Sequence, residues 1–237
     1  MSNGIYAASA GAVAQTRALD VTANNIANAT TTGFHGDRVT FREALTRAST
    51  VDLATVVTGS TRIDTQAGAI HQTGNPLDLA LEGDGFFAIT TPSGARYTRA
   101  GNLQLDDSGT LVTGDGFKVR AEGGATITIP PESKHILVGT DGSINVDGED
   151  VGKLELVTFA ANQIKREGDT FVSATGRPQA GDPPKVRAGM LESSNVNVVR
   201  GVVDLVKVSR IYESLMRIIQ GYHDVESRAA RELGGPK

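Results

Sequence analysis

The sequence contains no cysteine. Disulfides, thiolate metal centres and cysteine nucleophiles are therefore excluded, and the redox compartment stays open. Aromatic residues are scarce, at 5%, against an apolar fraction of 39% that is modest but sufficient for a core. Charge of either sign is nearly balanced, with 23 Lys and Arg against 27 Asp and Glu, a formal net charge of -4. Without a basic run to grip phosphate, nothing electrostatic points to nucleic acid or an anionic membrane. No apolar run approaches the ~20 residues of a membrane helix. The first twenty residues hold one basic residue, Arg17, and no unbroken apolar stretch, so a Sec-type signal peptide is not expected.

What is present falls into three regions. From about Asn3 to Ala29 the chain is rich in alanine and free of proline. Ile5, Ala8, Ala12, Gln15, Leu19, Thr22 and Ile26 alternate three and four apart, the spacing of one helical seam with two polar members. Thr30-Thr31-Thr32-Gly33 should end this helix: three β-branched residues, then a glycine able to adopt the left-handed conformation. From about Gly36 to Arg187 the pattern has period two. Leu77, Leu79 and Leu81 alternate with Asp78, Ala80 and Glu82, and the pairs Ile127/Ile129, Ile144/Val146 and Leu154/Leu156 repeat the motif. Asp-Gly recurs at 84–85, 115–116, 141–142 and 147–148, as tight hairpins prefer. Short strands with frequent turns predict an antiparallel sandwich or barrel. The stretch from Gly36 to Ile70 is less regular and reads as an extended arm with short strands.

The third region begins near Ser193, where Ser193, Ser194 and Asn195 offer N-caps. Val208, Ile211, Leu215, Ile218, Tyr222, Val225 and Ala229 follow with coiled-coil spacing, and Val199, Val202, Val203, Leu205 and Val206 widen the apolar face upstream. A helix from about Asn195 to Arg231 would be roughly 55 Å long. Gly201 and Gly221 each cost on the order of 1 kcal/mol within it, so packing must supply the stability. The fold class is α+β: N- and C-terminal helices forming a coiled-coil-like domain, and a central antiparallel all-β domain. The economical arrangement pairs the helices with each other and then with other copies, because a broad apolar face would otherwise meet water.

Motifs for chemistry are weak. Gly83-Asp84-Gly85 fits neither nucleotide-loop pattern and reads as a hairpin turn. Asp141, Ser143, Asn145 and Asp147 suggest a calcium loop, but the sixth and twelfth positions are Val146 and Gly152 rather than glycine and glutamate. His35, His71, His135 and His223 share no ligand spacing and read as surface residues. Asn28-Ala29-Thr30 matches a glycosylation acceptor, a tripeptide common by chance. Nothing here requires an enzyme, and no cofactor, metal or small-molecule substrate is expected.

Four blocks carry a resemblance: ANNIANATTTGF (23–34), GNPLDLALEGDGFF (74–87), YTRAGNLQLDDSGTLVTGDGFKV (97–119) and GMLESSNVNVV (189–199). In this order they resemble the signatures of the flagellar rod and hook proteins, the FlgF, FlgG and FlgE family. The short central region, and Ile211 before Tyr212-Glu213 with Leu215-Met216 after, resemble the FlgF branch of proximal-rod subunits, with the distal-rod FlgG branch as the alternative. The resemblance implies a torque-transmitting structural subunit of the flagellar basal body. It would leave unfolded through the flagellar type III export apparatus, without a cleaved signal, and assemble helically in the periplasm with copies of itself and other rod subunits. It implies an inner-tube N-terminal helix over 1–34, an arm over 35–70, a β domain over 71–188 and an inner-tube C-terminal helix over 189–237. The assembly interface is then expected at Ile5, Ala8, Ala12, Leu19, Asn24, Asn25, Ile26, Asn28, Val199, Val202, Val206, Val208, Ile211, Leu215, Ile218, Tyr222 and Val225.

Overall fold

The computed structural model describes residues 2–40, 42–48, 51–57, 61–130, 132–133, 135–179 and 183–233. The architecture is α+β, with a helix near each end of the chain and antiparallel strands between. The chain divides into two compact units, one of residues 1–26, 37–62 and 197–237, the other of residues 27–36 and 63–196.

The first unit contains α1 (Ser2–Ala27) and α2 (Val198–Leu233). Small residues dominate the covered face of α1, where Ala8, Ala12, Ala14 and Ala18 are buried. Glycines sit where the helices come closest. A Cβ at Gly11 would lie 3.3 Å from Leu215 Cδ1, one at Gly201 would lie 2.8 Å from Ile26 Cγ1, and one at Gly4 would collide with the Tyr222 phenol. Position numbers rise along one helix as they fall along the other, so the helices run antiparallel. Gly201, which propensity alone disfavours, is thus explained by close approach. Gly221 faces open space, and nothing in the structure explains it.

The N-cap of α2 is Asn197, whose Oδ1 accepts the Arg200 amide at 3.0 Å, rather than a residue of 193–195. Asn195 is otherwise engaged: its Oδ1 accepts the Gly36 amide at 2.8 Å, and its Nδ2 donates to Asp64 O at 3.0 Å and Gln66 O at 2.8 Å. The segment expected as an irregular arm contains an antiparallel hairpin of two seven-residue strands, Arg42–Ala48 and Val51–Val57, in register from Arg42↔Val57 to Ala48↔Val51. Positions 41, 49–50 and 58–60 of that arm lie outside the described residues.

The second unit centres on an eight-stranded antiparallel sheet. Its order is Ile164–Arg166, Phe171–Ala174, Gly94–Thr98, Phe86–Thr91, Lys118–Val119, Leu111–Thr113 and Leu103–Leu105, with Leu156–Val157 also paired to Phe86–Thr91. Smaller ladders join Leu79–Glu82 to Lys185–Ala188 and Ile70–Gln72 to Met190–Glu192. A three-stranded meander runs through Ile136–Val138, Ser143–Val146 and Glu149–Lys153. The period-two residues form the core: Leu79, Leu81, Ile127, Ile129, Ile144, Val146 and Leu154 are buried together with Phe87, Ile89 and Leu111. A second cluster gathers Ile63, Phe86, Val157, Phe159, Ile164 and Val172.

Asp147-Gly148 makes the two-residue turn of the meander, both residues at positive φ (51° and 94°), the conformation a type I′ hairpin demands. The 141–150 stretch is this hairpin, and Asp141 Oδ1 accepts from the Ser143 amide at 3.2 Å and hydroxyl at 2.7 Å. Asp84-Gly85 corrects the hairpin reading. It links Leu79–Glu82 to Phe86–Thr91, two strands that do not pair. The glycine answers to crowding: at φ 151°, a Cβ on Gly85 would lie 2.6 Å from Pro184 Cγ and 3.1 Å from Val157 O.

Candidate functional site

Two arrangements stand out, one in each unit. On α2, a line of half-buried positions runs through Gly201, Leu205, Val208, Tyr212, Leu215, Ile219 and Tyr222, flanked by half-buried Asp204, Ser209 and Met216 and followed by Ala229. This line shares Val208, Leu215 and Tyr222 with the seam read from the sequence. At the intermediate positions it passes through Tyr212 and Ile219. Both completions obey three-four spacing, because i+3 and i+4 flank the same face of a 3.6-residue turn. The alternative residues Ile211, Ile218 and Val225 are left 48%, 49% and 52% exposed. Val198, Val199, Val202, Val203 and Val206 form a second exposed apolar patch near the start of the helix.

The other expected interface residues are distributed as follows. Ala8 and Ala12 are buried, while Ile5, Leu19, Asn25, Ile26 and Asn28 are half-buried and Asn24 is exposed. Asn25 is committed to its own chain: its Nδ2 donates to Asp37 O and its Oδ1 accepts the Asp37 amide, each at 2.8 Å. Asn28 holds the turn after α1, accepting the Thr31 amide at its backbone oxygen and the Thr31 hydroxyl at Oδ1, both at 3.1 Å. Gly33 follows at φ 66°, where a side chain would strike the Arg99–Ala100 backbone.

In the second unit, Glu192 forms a buried polar node that spacing did not reveal. Its side chain is fully covered. Oε1 accepts from His35 Nε2 at 2.8 Å and from the Gly68 amide at 2.9 Å, Oε2 accepts from Arg99 Nη1 at 3.0 Å, and the backbone oxygen accepts from the Gly33 amide at 2.8 Å. Arg99 is itself buried and also donates to Gly83 O at 2.6 Å. Arg166 donates to His35 O and lies 4.4 Å from the Phe34 ring centroid. His35 is therefore not the surface residue its isolation in sequence suggested: it is 5% exposed. His71, His135 and His223 are exposed. Burial alone would push the Glu192 carboxyl up. The His35 hydrogen bond, the Arg99 charge and the Gly68 amide outweigh it and hold the carboxyl below the usual carboxylate range. Removing one partner from such a node costs about 3–5 kcal/mol, because the others are left buried and unpaired.

The node borders a cavity of about 270 Å³ lined by His35, Arg99, Thr65, Phe86, Phe159 and Gln179 among others. His35 Nδ1 and Arg99 Nε are buried without a hydrogen-bond partner in the structure. The other imidazole nitrogen is engaged by a carboxylate, which is an orienting contact and supplies no nucleophile. Among the described residues no group of three or more His, Cys, Asp or Glu side chains is placed to hold a metal ion. Among them, too, no helix is long and apolar enough to cross a membrane.

The node also gathers the four sequence blocks. Gly33 and Phe34 close the first, with His35 next to it; Leu81 and Gly83 lie in the second, Arg99 in the third, and Glu192 and Asn195 in the fourth. Comparison with known proteins gives these blocks an identity. The family described as "Flagella basal body rod protein" matches residues 5–35, "Flagellar hook protein FlgE/F/G D1 domain" residues 80–146, and "Flagellar basal body rod FlgEFG protein C-terminal" residues 187–232. The flagellar basal-body rod protein FlgF of Caulobacter vibrioides is 36% identical over 248 residues, covering 99% of both chains. The chain belongs to the flagellar basal-body rod protein family. FlgF of Salmonella typhimurium is 34% identical, covering 98% of this chain and 99% of that protein. FlgG of Bacillus subtilis is 37% identical, covering 85% of this chain and 88% of that protein. As a member of this family the chain is a structural component of the flagellar basal-body rod and not an enzyme.

One signal in the sequence could have led to the node. Glu192 is the only ionisable residue of its block, as a buried and paired charge can be, whereas Arg99 shares its block with Asp106, Asp107, Asp115 and Lys118 and does not stand out.

Proposed function

We propose that this chain is a proximal-rod subunit that assembles helically through its terminal helices and transmits torque along the rod. End-to-end alignment with FlgF relatives supports the proximal position over the distal one. In this reading α1 and α2 pack as an antiparallel coiled coil in the inner tube, and the β unit forms the outer layer. The subunit passes unfolded through the flagellar type III export apparatus without a cleaved signal and assembles in the periplasm. Its partners are copies of itself and other rod subunits, not nucleic acid or a small substrate.

The observation that carries the proposal is the exposed apolar surface of α2. With α1 already against this helix, Val199 remains 76% exposed, and Ile211, Ile218 and Val225 remain about half exposed. An apolar face of this kind marks an interaction surface. Ile218→Asp tests it. In the isolated chain the residue is half in water, so stability should change by no more than about 0.5 kcal/mol, as for surface substitutions generally. Once a neighbour covers it, the lost contact costs about 2–5 kcal/mol and the buried charge adds to that. The variant should therefore be made, exported and folded, yet leave cells unable to swim. Arg217→Asp, which breaks only an exposed ion pair with Glu213 at 3.8 Å, should swim nearly as wild type. Normal swimming of Ile218→Asp would overturn the interface. The axial position is tested by locating a labelled subunit in a map of the rod, where a distal location would favour the FlgG assignment.

A further inference from the structure

We infer that Glu192 is a positioning residue for rod assembly, clamping the segment that follows α1 to the segment that precedes α2. This deepens the proposal that assembly proceeds through the terminal helices, and it rests on that reading. Residues 33–36 come shortly after Ala27, where α1 ends, and residues 192–195 shortly before Val198, where α2 begins. Within the second unit these segments are bound directly to each other. Gly33 N donates to Glu192 O, Asn195 N to Phe34 O at 3.2 Å, Gly36 N to Asn195 Oδ1, and the His35 imidazole to the Glu192 carboxylate. The two points at which the helices depart are thereby fixed with respect to one another, although 157 residues separate His35 from Glu192.

A carboxylate suits this task in a way an apolar side chain does not. It is acceptor-only, with two oxygens that can take several donors at once. Here three segments supply them: the His35 imidazole, the Gly68 amide and the Arg99 guanidinium. A leucine could fill the space but would leave the His35 and Gly68 donors unpaired and the buried Arg99 charge without its carboxylate. A glutamine would keep one acceptor and turn an amide donor toward a site already crowded with donors. The clamp is also local. Gly68 N and Gly36 N depend on the 192–195 side chains, whereas core amides such as Leu111 N, bonded to Ile127 O at 2.9 Å, do not.

Hydrogen exchange on the full-length chain, read beside swimming of cells carrying the same variant, separates positioning from bulk stability. Glu192→Gln should speed exchange of the Gly36, Gly68 and Asn195 amides by more than about tenfold over wild type and leave them faster than the Leu111 and Ile129 amides, because the clamp opens locally while core amides exchange only with global unfolding. Swimming should fall sharply. Leu111→Val provides the stability control: it should lower Tm, leave the clamp amides slow and preserve swimming. His35→Gln, which retains an N–H donor, should restore slow exchange where His35→Leu does not. The inference is overturned if the clamp amides are unchanged in Glu192→Gln, or if they exchange no faster than the core amides. It is equally overturned if the variant swims normally, or if Leu111→Val swims as poorly. Ile218→Asp run in the same series keeps the two ideas apart. Should it swim, the assembly surface is wrong; should it fail while Glu192→Gln swims, only the clamp is wrong.

Discussion

Gly201→Ala and Gly221→Ala are the same substitution in the same helix, and they should have opposite effects. Alanine is better than glycine within a helix by about 0.8–1.0 kcal/mol. At position 221 the added methyl meets nothing within 4 Å, so most of that gain should appear as stability. At position 201 the methyl would lie 2.8 Å from Ile26 Cγ1 and 3.4 Å from Ile26 Cδ1. Ile26 must leave its rotamer or α1 must shift, and overpacking of this kind costs about 1–3 kcal/mol. Gly201→Ala should thus lie between neutral and about 2 kcal/mol destabilising, a separation of about 1–3 kcal/mol from Gly221→Ala. Chemical denaturation of the full chain, followed by helical ellipticity, measures both. Ile26→Ala supplies the second side of a double-mutant cycle. It should relieve the clash, giving a coupling of about 0.5–3 kcal/mol with Gly201→Ala and none with Gly221→Ala. Equal stabilisation by the two alanines, with no coupling to Ile26, would show that α1 does not run antiparallel to α2 in this register.

Three further outcomes follow from the polar node. The Glu192 carboxyl is held below its ordinary value of 4.5 in the fold, so its contribution is present above that value and is lost as pH falls through the lower folded one. Thermal melts in the acid range should therefore show a steeper loss of stability for wild type than for Glu192→Gln; parallel curves would mean the carboxyl is not stabilised by folding. A fragment of residues 27–196 should unfold cooperatively, whereas residues 63–190, which lack Phe34, His35, Glu192 and Asn195, should melt much lower; equal melting temperatures would show that the node adds nothing. Gly33→Ala should destabilise by at least about 1–3 kcal/mol, from a strained positive φ and a clash with the Arg99–Ala100 backbone, and a melt indistinguishable from wild type would count against that geometry.

Periodicity in the sequence was enough to place both terminal helices and the β region between them, because burial on one face imposes a 3.6- or 2-residue rhythm that is local. The core residues Ile127, Ile129, Ile144, Val146 and Leu154 followed from that rhythm, and the Asp147-Gly148 turn from the need for positive φ. The four signature blocks, read in order, were enough for the family. Tertiary structure decided what local rhythm leaves degenerate. Val208, Leu215 and Tyr222 admit either Ile211 and Ile218 or Tyr212 and Ile219 as companions, and only the position of the partner helix selects Tyr212 and Ile219. Asn195 looked like a cap and instead joins residues 36, 64 and 66, so the cap moved to Asn197. His35, Arg99 and Glu192 carry no mutual spacing at all. Charges far apart in the chain are buried together because the fold brings donors from three segments to the Glu192 carboxylate, and that convergence occurs in three dimensions, not along the sequence.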